Sequence, residues 1–292
     1  MTRIVVVGDL NLDVLAEMPA GAPRIGEVKT TVRCLPGGSG ASFARRAASE
    51  GVEAVFVGCV GDDLVGELLV RSLEESGIET RVGRVGIPTG TVVVIPEGEK
   101  STILCSRGAN DGLDIAQIAD DLFENADHLH VSGYSLISPA QREAAIKAMI
   151  KAREACLTIS VDPPPANLIR SVGREDFRAL IAGAEMIFPN LAEGRVLSGE
   201  SSIDDVVGSL ASDFRIGAVT LGVEGSIAWE GSQIDRCPAE PLAVGNATGA
   251  GDAFAAGFVV EYLASSSLAA ANRRGNDLAR LSLQRGASAP AD

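Results

Sequence analysis

The sequence predicts an α/β protein with a doubly wound, mainly parallel sheet in three α/β/α layers and a small separate β-sheet. Short β-branched runs alternate with helix-patterned segments, and the runs are almost continuously hydrophobic, as strands buried on both faces must be. Two stretches, 12–34 and 86–106, break that alternation with short strands and Gly/Pro turns and no helix between them.

In chain order, residues 4–7 predict the first strand, 41–50 a helix, 54–57 a strand and 64–75 a helix. Strands follow at 129–131 and 157–161, around a helix over 140–152, and the pattern resumes with a strand at 186–188, a helix from Asn190 and a strand at 218–221. Two long helices, 249–264 and 268–285, close the chain ahead of a Ser/Ala/Pro tail. The second irregular stretch predicts a hairpin, with strands 91–95 and 100–104 around the turn Pro96-Glu97-Gly98-Glu99. Residues 1–11, 35–85 and 107–292 therefore form the expected main domain, and 12–34 with 86–106 form a β lid over the carboxyl ends of its strands, where open α/β sheets bind ligands.

Composition limits the function classes. A chain of 292 residues that is 46% hydrophobic can bury one large core, and its net charge of -14 argues against nucleic acid and anionic membrane as partners. Its 21 Arg and 4 Lys reflect either phosphate-binding chemistry or genomic base composition. The five cysteines show no metal or disulfide spacing, and the first apolar run is too short for a signal segment, so the expected location is a reducing cytoplasm. His128 and His130 alternate in a strand pattern and are expected to be structural.

The strongest chemical signal is Gly245-Asn246-Ala247-Thr248-Gly249-Ala250-Gly251-Asp252, a small-residue loop that runs straight into an apolar helix. Unpaired N–H groups at a helix start bind anions, and glycines let a phosphate approach the backbone. Asp252 then either caps the helix or accepts a proton from a hydroxyl that attacks a held phosphate. The helix dipole lowers the pKa of such an Asp and a bound nucleotide raises it. Gly37-Gly38 precedes another helix, as a ligand contact or a tight turn. Asn11-Leu12-Asp13 offers hydrogen-bond acceptors for hydroxyls, or forms a turn. Asn190 and Glu193 lie one helical turn apart, as a metal–water site or a capping box. Arg107 stands where the lid stretch returns to the core, facing a ligand or solvent.

These motifs together resemble the ribokinase-like (PfkB-type) carbohydrate kinase family over the whole chain. The resemblance implies ATP-dependent phosphorylation of a hydroxyl on a sugar-like molecule, with Asp252 as base and the backbone of Gly249, Ala250 and Gly251 as an anion hole. It further implies substrate contacts from Asn11, Asp13, Gly37, Gly38, Ser42 and Arg107, nucleotide contacts from Asn190, Thr220, Gly222, Gly225 and Thr248, and Mg2+ held by Glu193 through water. Relatives often dimerise through the lid, so a homodimer is an expectation. Asn246 stands where the family signature has Asp, which leaves a monovalent cation open, and Ser42 stands where the di-glycine motif has Asn, which changes the expected acceptor pocket. A nucleoside acceptor, or a sugar- or nucleotide-binding regulator without turnover, are the competing readings. A dinucleotide dehydrogenase is disfavoured because no strand leads into G-x-G-x-x-G.

Overall fold

The computed structural model describes residues 1–16, 21, 26–97, 100–240 and 249–285. Its main sheet is built from β1 (Arg3–Val7), β4 (Glu53–Gly61), β5 (Glu79–Val85), β8 (His128–Ser132), β9 (Thr158–Asp162), β10 (Met186–Ile187), β11 (Ile216–Thr220), β12 (Ser226–Glu230) and β13 (Gln233–Cys237). The strand order is β13-β12-β11-β10-β9-β8-β1-β4-β5. From β5 to β11 every pairing is parallel, and β12 and β13 add an antiparallel edge.

Alternation along each strand sends successive side chains to opposite faces. Val5, Val7, Val55 and Val57 enter one core with α3 (Pro139–Glu154), α4 (Ala166–Val172), α5 (Arg174–Ile181), α6 (Leu191–Ser198) and α7 (Ile203–Asp213). Ile4, Val6, Ala54 and Phe56 enter the other, under α1 (Ser39–Ser49), α2 (Leu64–Glu74), α8 (Ala250–Ser265) and α9 (Leu268–Arg285). This is the three-layer α/β/α arrangement expected from the sequence. His128 and His130 are buried on β8; both bond Ser160, and His130 stacks on Phe43 at 3.6 Å between ring centroids. Burial favours their neutral forms, which fits the structural role expected of them.

A second sheet has the order β3-β2-β6-β7, from β2 (Asn11–Ala16), β3 (Val32–Gly37), β6 (Thr91–Glu97) and β7 (Lys100–Ser106). Within it β2 and β6 run parallel while the flanking pairs are antiparallel. Its strands extend beyond the stretches drawn from sequence, since β2 begins at Asn11 and β3 continues to Gly37. The cause is register: Asn11 pairs with Gly37 and Leu12 with Pro36, so the ladder carries both motifs into the sheet. Asp13 therefore sits within a strand between Leu35 and Val92, which corrects the expectation of a turn. Of the predicted hairpin turn, Gly98 and Glu99 lie outside the described residues. Among the described residues, no helix is long and apolar enough to cross a membrane.

Trp229 on β12 closes the antiparallel edge. It is fully buried, its indole Nε1 donates to the Phe214 carbonyl at 2.9 Å, and a Cβ added at the facing Gly217 would lie 2.4 Å from the ring. Trp229→Ala is expected to cost about 3–5 kcal/mol in denaturant unfolding. A loss below about 1 kcal/mol would mean that this edge does not share the cooperative core.

Candidate active site

The carboxyl ends of the parallel strands bring acidic side chains to one place. β1 ends at Val7, and Asp9 follows, buried; it accepts from Asn11 Nδ2 at 3.0 Å, Ser132 Oγ at 3.2 Å and the Ser39 N–H at 3.4 Å. Asn110 holds this corner, accepting from the Leu10 N–H at 2.9 Å and donating to Asn11 Oδ1 at 2.7 Å. The Asn11 amide is thus engaged on both sides, so its part in the site is to orient Asp9 while lining the cavity.

Gly38, the N-cap of α1, has φ +97°, and a Cβ there would lie 2.3 Å from the Asp9 carbonyl oxygen. Glycine at this position lets α1 start directly against the end of β1. Gly37 lies beside the Asp13 carboxylate, where a Cβ would come within 2.2 Å of it. Burial, then the nearby Asp9, push the Asp13 carboxyl up to about 7, and Arg45 on α1 pulls it partly back.

Asp252 lies in the first turn of α8, whose N-cap Gly249 has φ +81°. The first N–H groups of a helix have no intrahelical acceptor, so Gly249, Ala250 and Gly251 carry donors at the positive end of a 16-residue helix. Asp252 accepts from Ser39 Oγ at 2.7 Å and shares a hydrogen bond with Asp162 at the end of β9. Burial raises both carboxyls: Asp252 to about 7, with Ser39 donation holding it down, and Asp162 well above its usual range. The dipole of α8 therefore does not set the Asp252 pKa, because desolvation outweighs it. Their shared hydrogen bond raises Asp162 and lowers Asp252, which favours Asp162 as its donor.

Asn190 and Glu193 form a full capping box at the start of α6. Glu193 Oε2 accepts from the Asn190 N–H at 2.9 Å and Oε1 from its Nδ2 at 2.6 Å, while Asn190 Oδ1 accepts from the N–H groups of Ala192 and Glu193. Glu193 also lines the cavity, and its burial raises it to about 7 despite those donors. The two readings of this pair are compatible, since cap and cavity use the same carboxylate.

The resulting cavity has a volume of about 640 Å³. It brings together Asn11, Asp13, Gly38, Ser42, Arg107, Asn190, Glu193, Thr220, Gly249, Gly251 and Asp252 from the sequence motifs. Gly37, Ala250, Gly222 and Gly225 are not among its lining residues; the last two shape the turn after β11, at φ +63° and +95°. Thr248 and Asn246 lie outside the described residues, and with them the question of a monovalent cation. Arg107 lines the cavity and is held rather than left to solvent: it donates to Asp111 at 2.7 Å and to Gln141 Oε1. The sequence reading missed Asp9, Ser39, Asn110, Tyr134 and Asp162. Asp9 and Asp162 were findable, since each lies within two residues of the carboxyl end of a predicted parallel strand.

Among the described residues no group of three or more His, Cys, Asp and Glu side chains could chelate a metal ion. Asn190 takes one lone pair on each Glu193 oxygen and leaves the other able to accept from water, so the residues fit a divalent cation held through water and by a ligand's own oxygens. The negative charge that the surrounding carboxyls can carry favours such a cation.

The family model described as pfkB family carbohydrate kinase matches residues 1–291. The ATP-dependent ribose-1-phosphate kinase of Halopiger xanaduensis is 30% identical over 270 residues, covering 90% of this chain and 86% of that protein. Adenosine kinase from Sinorhizobium meliloti superposes with a TM-score of 0.88 at 24% identity, covering 97% of this chain and 94% of that one. A putative ribokinase II from E. coli in complex with ATP and Mg2+ superposes with a TM-score of 0.88 at 20% identity, covering 98% and 94%.

The raised Asp252 pKa makes a stability prediction. Between about pH 4 and about pH 7 the folded state holds a proton that the unfolded chain has released, so this group's contribution falls as pH rises through that window. Above it, ionised Asp252 is a net cost, which Asp252→Asn removes. The variant should melt higher than the parent at pH 8, by an amount on the order of several degrees, and the gap should shrink toward pH 5. Equal melting temperatures at both pH values would contradict the burial cost assigned to Asp252.

Proposed function

Because this chain belongs to the pfkB family of carbohydrate kinases, and is thus a sugar or nucleoside kinase, we propose that it transfers the γ-phosphoryl group of ATP to a hydroxyl of a small sugar-like acceptor, with Asp252 as base. The observation that carries this reading is the placement of half-buried Asp252 beside the first N–H groups of α8, within one cavity. An acceptor hydroxyl bonded to Asp252 loses its proton to the carboxylate as its oxygen attacks the phosphorus. The N–H groups of Gly249, Ala250 and Gly251 face the charge that builds on the phosphoryl oxygens. Asp162 fixes the orientation of Asp252, and Asp13 accepts from further hydroxyls of the acceptor.

Asn190, Thr220 and Thr248 are proposed on the nucleotide side, with Gly222 and Gly225 shaping the turn beside it. Glu193 would reach Mg2+ through water, and the ion when bound neutralises phosphate charge. The small sheet, taken as the lid, supplies Asp13, Val92, Val94, Ile103 and Cys105 to the cavity wall. That wall also favours a second reading, a nucleoside acceptor, since a base needs an apolar surface and a bare sugar does not.

Three outcomes test this function. With ATP and Mg2+, a panel containing ribose, ribose 1-phosphate and adenosine should give acceptor-dependent ADP release; thermal stabilisation by a panel member without ADP release would favour a binder without turnover. Asp252→Asn should keep ATP-induced stabilisation and lose about 10²- to 10⁴-fold in rate, and near-parental turnover would remove the base. The rate should climb with pH and level above about 7, where Asp252 is ionised; a flat profile from about pH 5 to 8 would contradict the assignment.

A further inference from the structure

The contact between Ser39 and Asp252 does more than position the base. Ser39 is the first residue of α1, partly exposed, and its hydroxyl lines the cavity alongside Gly249 and Gly251. Its Oγ donates to Asp252 Oδ1 at 2.7 Å, the same bond an acceptor hydroxyl must make before transfer. Ser42, Tyr134 and Thr220 also line the cavity, and none of these hydroxyls makes a described hydrogen bond to Asp252. Ser39 is therefore an internal hydroxyl that already satisfies the geometry of a substrate toward the base.

We propose that, when no acceptor fills the cavity, the protein phosphorylates itself on Ser39 Oγ. The inference rests on the kinase reading above. In this step the Oγ–H bond breaks and its proton passes to the Asp252 carboxylate. An Oγ–P bond forms to the γ-phosphorus of ATP, and the bridging P–O bond breaks with its electron pair leaving on ADP. The product phosphate would sit at the N-terminus of an 11-residue helix, where the dipole favours an anion. It would also occupy the hydrogen-bonding side of Asp252 and place further negative charge beside Asp9. Phosphorylated protein is thereby closed to acceptors, which makes the modification self-limiting and inhibitory.

The test uses the purified full chain with γ-labelled ATP and Mg2+ and no acceptor, followed by peptide mass spectrometry, with ADP release on the acceptor panel measured in parallel. Label is expected on the peptide that carries Ser39, and it should be lost in both Ser39→Ala and Asp252→Asn, each checked for a native melting transition. Acceptor-dependent ADP release without label on Ser39 overturns the proposal and leaves the kinase reading standing. Label that persists in Ser39→Ala overturns it too, because another residue is then the target. Absence of both label and ADP release sinks the kinase reading along with it.

Discussion

Five carboxyl groups, Asp9, Asp13, Asp162, Glu193 and Asp252, line one cavity in which Arg107 is the only basic side chain among the described lining residues. Like charges so close together in a poorly solvated site cannot all ionise without compensation. The fold supplies it in separate ways. Asp9 takes three donors from Asn11, Ser132 and the start of α1; Glu193 takes two from Asn190; Asp13 faces Arg45; and Asp162 with Asp252 shares a proton under the Ser39 hydroxyl. Apart from Arg45, which lies midway along α1, each of these partners comes from a strand end or a helix start, so the electrostatics of the site fix how the elements meet. Arg107 adds little positive potential of its own, since Asp111 and Gln141 already hold it.

That arrangement explains the local choices of residue. α1 must begin against β1 so that the Ser39 N–H reaches Asp9 and the Ser39 hydroxyl reaches Asp252, which is why Gly38 cannot carry a Cβ. α8 must deliver Asp252 on its first turn into a buried corner, and it is anchored by Phe254 and Phe258, which pack with Phe188 from the end of β10. Two rigid cores on either side of the sheet hold strand ends and helix starts in register, and a site that depends on hydrogen bonds of 2.6–3.4 Å needs such rigidity. The cost is stored as raised pKa values, which in a phosphoryl-transfer site leave Asp252 basic enough to take a proton near neutrality.

Much of this was legible in the sequence because parallel strands and crossover helices announce themselves through hydrophobic runs and period. The helix predicted over 268–285 is α9, and the two stretches without helices supply the strands of the second sheet. The edges were harder to read. β5 is rich in charged residues, and β12 and β13 are short antiparallel additions, so none shows the continuous apolar run of a central strand. Pairing partners were not legible either, and they moved Asp13 from a turn into a strand. At the site, Asp252 and Glu193 could be singled out from motif and spacing, yet Ser39 and Asp162 could not be tied to Asp252. They lie 213 and 90 residues from it along the chain, and only the sheet order brings them together.

The central claim is that Asp162 and Asp252 share a proton that persists to near-neutral pH. Infrared difference titration of the parent against Asp252→Asn measures it directly, through the C=O stretch of a protonated carboxyl. The account predicts a protonated band in the parent that is lost at about pH 7, as Asp252 ionises, and is missing from Asp252→Asn, while the Asp162 band persists at higher pH, because burial holds both carboxyls up. A band lost below about pH 5, as for solvated carboxylates, would contradict it.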